Sequence, residues 1–177
     1  MKTKITLLLI IFFSIISNGQ TPINAFFDVN GAAYDVVTST PDIDQSMSGE
    51  NVVWNFDQLV LVGGSTSYNS IPTFDQITTF PNSTSLNQVY INVGNIATTN
   101  QIFYTNIANE ISITGFKTPE LELKYISNNA KIGTFPLAYG YDFTDTTAGT
   151  FISGANNGTF SGNIITSVDA LRNLNIK

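Results

Sequence analysis

Carboxylates and hydroxyls must carry whatever chemistry this chain performs, because its 177 residues include no histidine and no cysteine. That removes the Ser-His-Asp triad, the Cys-His dyad, imidazole and thiolate metal ligands, and iron–sulfur clusters. Gly31 and Gly63-Gly64 stand alone, outside any phosphate-cradling loop. Four groups remain. Asp42, Asp44 and Glu50 supply three hard oxygen ligands over a short stretch, the donor type calcium takes, although Gly49 falls at the wrong offset for an EF-hand. Their plainer role is turn formation. Asp142 and Asp145 form a second such pair. Glu120 and Glu122 would share one face of a strand, about 6.5–7 Å apart, a spacing that suits paired-carboxylate glycoside hydrolysis. Lys124 beside them marks the same face as solvated surface. Tyr139 and Tyr141 flank Gly140, and in an extended segment both rings would point the same way as an aromatic ligand platform.

The elements that must position these groups read as strands. Apolar residues recur with period two: Val52, Trp54 and Phe56; Val89, Ile91 and Val93; Leu121, Leu123 and Tyr125. Trp54, the only tryptophan, is expected in the core with Val52 and Phe56, near Val89, Ile91, Ile111 and Ile113. Residues 106–109 separate Ile102–Tyr104 from Ile111–Ile113 as a hairpin loop. Thr150–Ser153 and Thr159–Thr166 are expected to pair through Asn157-Gly158. Residues 20–25 read as an extended lead-in. The predicted fold class is all-β: an antiparallel β-sandwich or partly open barrel of short strands. The sequons at Asn82 and Asn157 read as turn chemistry.

The first residues read as an export signal. Lys2 and Lys4 precede the apolar run Ile5–Ile16, and Ser17-Asn18-Gly19 supplies small residues for cleavage after Gly19. A twelve-residue run, broken by Thr6 and Ser14, is too short for a spanning helix, which needs roughly 20 apolar residues. The expected organisation is a signal peptide over 1–19 and a single β-domain over 20–177, secreted or at the cell surface and not membrane-spanning after cleavage. A domain of that length buries roughly 70 % of its surface without disulfides. Losing two lysines with the leader takes the formal charge from −6 to −8. An acidic chain without basic clusters repels phosphate backbones, so nucleic acid is not expected as a partner. Charged residues make up 11 % of the chain against a usual level of roughly 25 %. The surface therefore depends on Thr, Asn and Ser, which suit exposed strand faces and turns.

Three patches carry a resemblance. They are Asn30-Gly31 with Ser48–Leu59 (SGENVVWNFDQL), Phe135–Gly140 (FPLAYG) leading into Phe143–Thr146, and Gly158–Gly162 (GTFSG) with Leu171-Arg172. Together they resemble the N-terminal β-rich domain of secreted proteins of Bacteroidetes-type bacteria that travel by the type nine secretion system. The resemblance implies export and β architecture but no activity. Such proteins usually carry a C-terminal sorting domain, and here the chain stops at Lys177. The resemblance therefore implies a shortened relative or a fragment lacking its last strand pair between Ala170 and Leu171. An edge left open there would pair with another chain. The functional expectation is a non-catalytic extracellular module for adhesion, glycan contact or structural spacing, partnered by a glycan or a surface protein and needing no cofactor unless calcium binds. The alternatives are a carboxylate-dependent polysaccharide hydrolase and a fragment with no independent function.

Overall fold

Period-two alternation becomes one large antiparallel sheet. The computed structural model describes residues 22–42 and 49–175, with side chains of 50–55 and 170–175 outside the description. The strands are β1 (Ala32–Ser39), β2 (Gly49–Asn55), β3 (Leu59–Ser70), β4 (Ser85–Val93), β5 (Ile96–Ile107), β6 (Glu110–Lys117), β7 (Leu121–Asn128), β8 (Ala130–Thr134), β9 (Asp142–Ser153), β10 (Asn156–Ser167) and β11 (Ala170–Asn175). Nine of them form a sheet in the order β1-β3-β4-β5-β6-β7-β9-β10, with β8 paired to β6 off that path. β2 and β11 form a separate parallel pair. The all-β class holds, in an open sheet whose edges are β1 and β10. The strands are not uniformly short: β3, β5, β9 and β10 run twelve residues each.

Antiparallel sheets can bury one face and wet the other, and register shows which residues share a face here. Ile102, Tyr104, Ile111 and Ile113 project to one side, where Ala130 and Ile132 of β8 and the buried Phe135, Leu137 and Val168 join them. Ile111 and Ile113 are core residues as expected, while Val89, Ile91 and Phe56 are half-buried. The expected partners Val52 and Trp54 have side chains outside the described residues. On the opposite face Phe103 and Leu86 make a smaller cluster with Phe80. Phe80 arrives there on a six-residue helix, α1 (Phe74–Thr79), which the strand-based reading missed. Its signal was available as the capping box Thr73-x-x-Gln76: the Gln76 N–H donates to Thr73 Oγ1 at 3.4 Å, and the Thr73 N–H donates to Gln76 Oε1 at 2.8 Å.

Two turns differ from expectation. Residues 106–109 do connect β5 to β6, but only Ala108 and Asn109 remain outside the ladder, at φ 50° and 64°, the left-handed pair that a tight hairpin requires. The β9–β10 hairpin turns at Gly154-Ala155 and not at Asn157-Gly158. Gly154 takes φ 57°, which a glycine at the first central position supplies without strain. Asn157 and Gly158 lie inside β10 opposite Ile152 and Phe151, and a β-carbon on Gly158 would stand 3.0 Å from the Phe151 ring. That glycine makes room for an aromatic side chain, so Asn-Gly here has the composition of a turn without the job. Residues 170–175 form β11 alongside β2, and among the described residues no strand covers the outer edge of β10.

Candidate functional site

The lead-in is pinned by one backbone bridge. The Ile23 N–H donates to the Leu137 carbonyl and the Leu137 N–H returns the bond to Ile23, both at 2.9 Å. The next residues, Asn24-Ala25-Phe26-Phe27, are thereby laid across the end of the core. Phe27 packs on Tyr104 with ring centroids 4.6 Å apart. Phe26 stands edge-on to Phe27 at 4.6 Å and lies 6.1 Å from Phe135, with 39 % of its surface exposed. Asp28 then anchors the turn into β1, accepting from the Val29 N–H at 2.6 Å and the Tyr34 hydroxyl at 2.5 Å. The Tyr34 hydrogen bond, helped by the Val29 N–H, holds the Asp28 carboxyl below its ordinary value.

These segments enclose a cleft of about 270 Å³ against the β5–β6 hairpin. Tyr104, Ile111 and Phe135 give it an apolar floor, and Asn24, Asn69, Asn106 and Asn109 give it an amide rim. Asn69 is fixed by its own network: its Nδ2 donates to the Asp28 carbonyl at 2.9 Å, and its Oδ1 accepts from the buried Asn87 at 2.8 Å. The side-chain amides of Asn24, Asn106 and Asn109 are exposed and make no hydrogen bond among the described residues. Burial pushes the Tyr104 phenol up, partly offset by a hydrogen bond with Ser85, so the floor is neutral near pH 7. Neutral donors and acceptors around aromatic faces suit a ligand with hydroxyl edges and C–H faces. No charged side chain lines the cleft.

The structure separates most of the residues that the sequence grouped. Tyr139 and Tyr141 sit in a turn closed by the Tyr141 N–H on the Ala138 carbonyl at 3.1 Å, with Gly140 at φ 81°. The extended geometry needed to align them is absent: Tyr139 is exposed, while Tyr141 packs against the main core. Asp142 and Asp145 stand three positions apart on β9 and so point to opposite faces. Asp145 accepts from the Lys131 N–H at 2.8 Å. Asp42 is exposed, Asp44 lies outside the described residues, and so does the Glu50 side chain. Among the described residues no three acidic side chains converge on a common point.

Glu120 precedes β7 and Glu122 lies within it. Glu122 is held between Lys124 at 3.0 Å and Lys117 at 3.3 Å. Partial burial pushes its carboxyl up, but hydrogen bonds and charge from Lys124 and Lys117 more than offset this, so it titrates below the ordinary carboxylate range. A carboxylate with a lowered folded-state pKa contributes stability above its unfolded pKa, and that contribution disappears as pH falls through the folded value. Glu122→Gln is therefore expected to melt lower than the parent chain at pH 7. The gap should close below about pH 4, near the unfolded value for glutamate. Melting temperatures measured from pH 7 to pH 3 check this, and a gap that does not shrink with acid contradicts it.

Comparison with known protein families, curated proteins and solved structures gives no match to this chain. The cleft was not singled out in the sequence, although its parts were visible there. Residues 20–25 read as lead-in and residues 106–109 as a hairpin loop, and nothing in the spacing indicated that segments some 80 positions apart would meet.

Proposed function

We propose that this chain is a non-catalytic, secreted or cell-surface β-domain that contacts glycan through the cleft between Asn24–Phe27 and the β5–β6 hairpin. The observation that carries this reading is the set of exposed amides of Asn24, Asn106 and Asn109, which make no hydrogen bond among the described residues, beside the exposed ring of Phe26, with the buried Tyr104 and Phe135 closing the base. Amide groups engage sugar hydroxyls as both donor and acceptor, while ring faces take the C–H side of a pyranose. The export-type N-terminus and the resemblance to type nine secretion cargo support a location where glycan is met. A polysaccharide hydrolase would need two facing carboxylates in such a cleft, and the lining has none.

A panel of neutral oligosaccharides, screened on an array and followed by calorimetric titration of any hit, tests the proposal. Asn24→Ala and Asn106→Ala should each weaken binding by about fivefold to tenfold, the equivalent of one hydrogen bond, with melting temperatures near that of the parent chain. Absence of binding across the panel, or binding that neither substitution changes, overturns it.

A further inference from the structure

We infer that two copies of this chain join through the outer edge of β10, continuing the nine-stranded sheet across a two-fold axis near Gly162. The hairpin geometry identifies the free backbone groups. A two-residue loop makes its flanking residues, Ser153 and Asn156, a hydrogen-bonded pair. Alternation along β10 then turns the N–H and C=O groups of Asn157, Thr159, Ser161, Asn163, Ile165 and Ser167 away from β9. All six side chains are exposed, and among the described residues no strand lies beyond them. Over its twelve residues β10 contains no charged residue and no proline. Edges are ordinarily protected by exactly such residues, or by bulges.

The other edge of the sheet has these protections. β1 is eight residues long, carries Asp35, and has a register shift between Val36 and Val37. This difference selects the partner. Pairing β10 with β1 of another copy would be head-to-tail and would propagate, and the shorter length of β1 and its Asp35 charge oppose it. Pairing β10 with β10 is self-complementary and closes after two copies. In antiparallel register the outward-facing residues must meet one another. A two-fold axis at Gly162 satisfies all six, placing Ser161 opposite the partner's Asn163, Thr159 opposite the partner's Ile165 and Asn157 opposite the partner's Ser167. The side chains that meet are mostly neutral hydrogen-bonding groups on the wet face. A β-carbon on Gly162 would touch nothing within 4 Å, so the axis itself is uncrowded.

The test is a charge swap on the full chain, read by sedimentation over a concentration series. The parent chain should pass from monomer to dimer as concentration rises. Ser161→Lys with Asn163→Lys places like charges opposite each other across the axis, as does Ser161→Glu with Asn163→Glu. Each variant alone should dimerise at least about tenfold more weakly, and an equimolar mixture of the two should recover the dimer. That recovery separates β10 from any other source of association. A parent chain that stays monomeric, a Lys variant that still dimerises as the parent does, or a mixture that remains monomeric overturns the inference. Hydrogen exchange on the unsubstituted chain gives a second measure independent of variant folding. The amides of the six outward-facing residues should be protected at high concentration and exchange freely on dilution, and equal exchange at both concentrations overturns the inference.

Discussion

Phe103→Ala should lower the unfolding free energy by about 3–5 kcal/mol, the range for truncating a large buried aromatic residue. Phe103 has no exposed surface, and its ring stacks on Phe80 at 3.9 Å with 12° between the planes. Phe80 is itself 2 % exposed and is carried on the segment after α1. The loss thus has two parts: the cavity left by the ring, and the release of the segment that the ring holds to the sheet. Lys124, whose ammonium lies 6.0 Å from the Phe80 ring centroid, would lose a neighbour as well. At roughly 2–4 °C per kcal/mol for a domain of this size, the melting temperature should fall by about 6–20 °C. Urea denaturation followed by far-ultraviolet circular dichroism measures the change. A loss under about 1 kcal/mol would mean that the α1 segment and the sheet do not share a core.

Local alternation was enough to locate most of the strands. Val89, Ile91 and Val93 lie in β4, and Leu121, Leu123 and Tyr125 lie in β7, because a half-buried strand repeats every two residues whatever it pairs with. Turn position was harder. Both Gly154-Ala155 and Asn157-Gly158 have turn composition, and the choice between them depended on where the Phe151 ring falls across the ladder, a tertiary fact. The helix was overlooked because its capping box sits in a segment with no helical apolar stripe, where Phe74 and Ile77 are exposed. The cleft was illegible for a related reason. Asparagines at 24, 106 and 109 differ in no way from turn asparagines until the Ile23–Leu137 bridge brings the lead-in over the β5–β6 hairpin. Two candidate groups dissolved on folding: Tyr139 and Tyr141 required an extended chain through Gly140, and the closeness of Asp142 and Asp145 in sequence did not carry over to a strand, which turns residues three apart to opposite faces.

Two glycines on neighbouring strands should respond oppositely to the same substitution. A β-carbon on Gly149 of β9 would stand 1.8 Å from the Lys124 carbonyl oxygen, 2.8 Å from its carbon and 3.0 Å from the Tyr125 Cα. These are backbone atoms, and no rotamer change moves them aside. The crowding falls where the β7–β9 register shifts, between Lys124 and Asn128. Asn128 holds the far side of that shift: its Nδ2 donates to the Thr146 carbonyl at 2.6 Å, and its carbonyl accepts from the Thr147 hydroxyl at 3.0 Å. With both sides fixed, Gly149→Ala can be accommodated only by opening β7 from β9, the junction that ties the β9–β10 hairpin to the rest of the sheet. The expected cost is at least about 3 kcal/mol, at the upper end of overpacking penalties. Gly162→Ala on β10 meets nothing within 4 Å, and Gly162 is not among the glycines with positive φ. It should be neutral or gain up to about 1 kcal/mol, because alanine narrows the unfolded ensemble. Guanidinium denaturation of the two variants beside the parent chain decides the matter. If Gly149→Ala matches Gly162→Ala in stability, β7 and β9 do not approach as closely as the register requires, and the hairpin is joined to the sheet by some other contact.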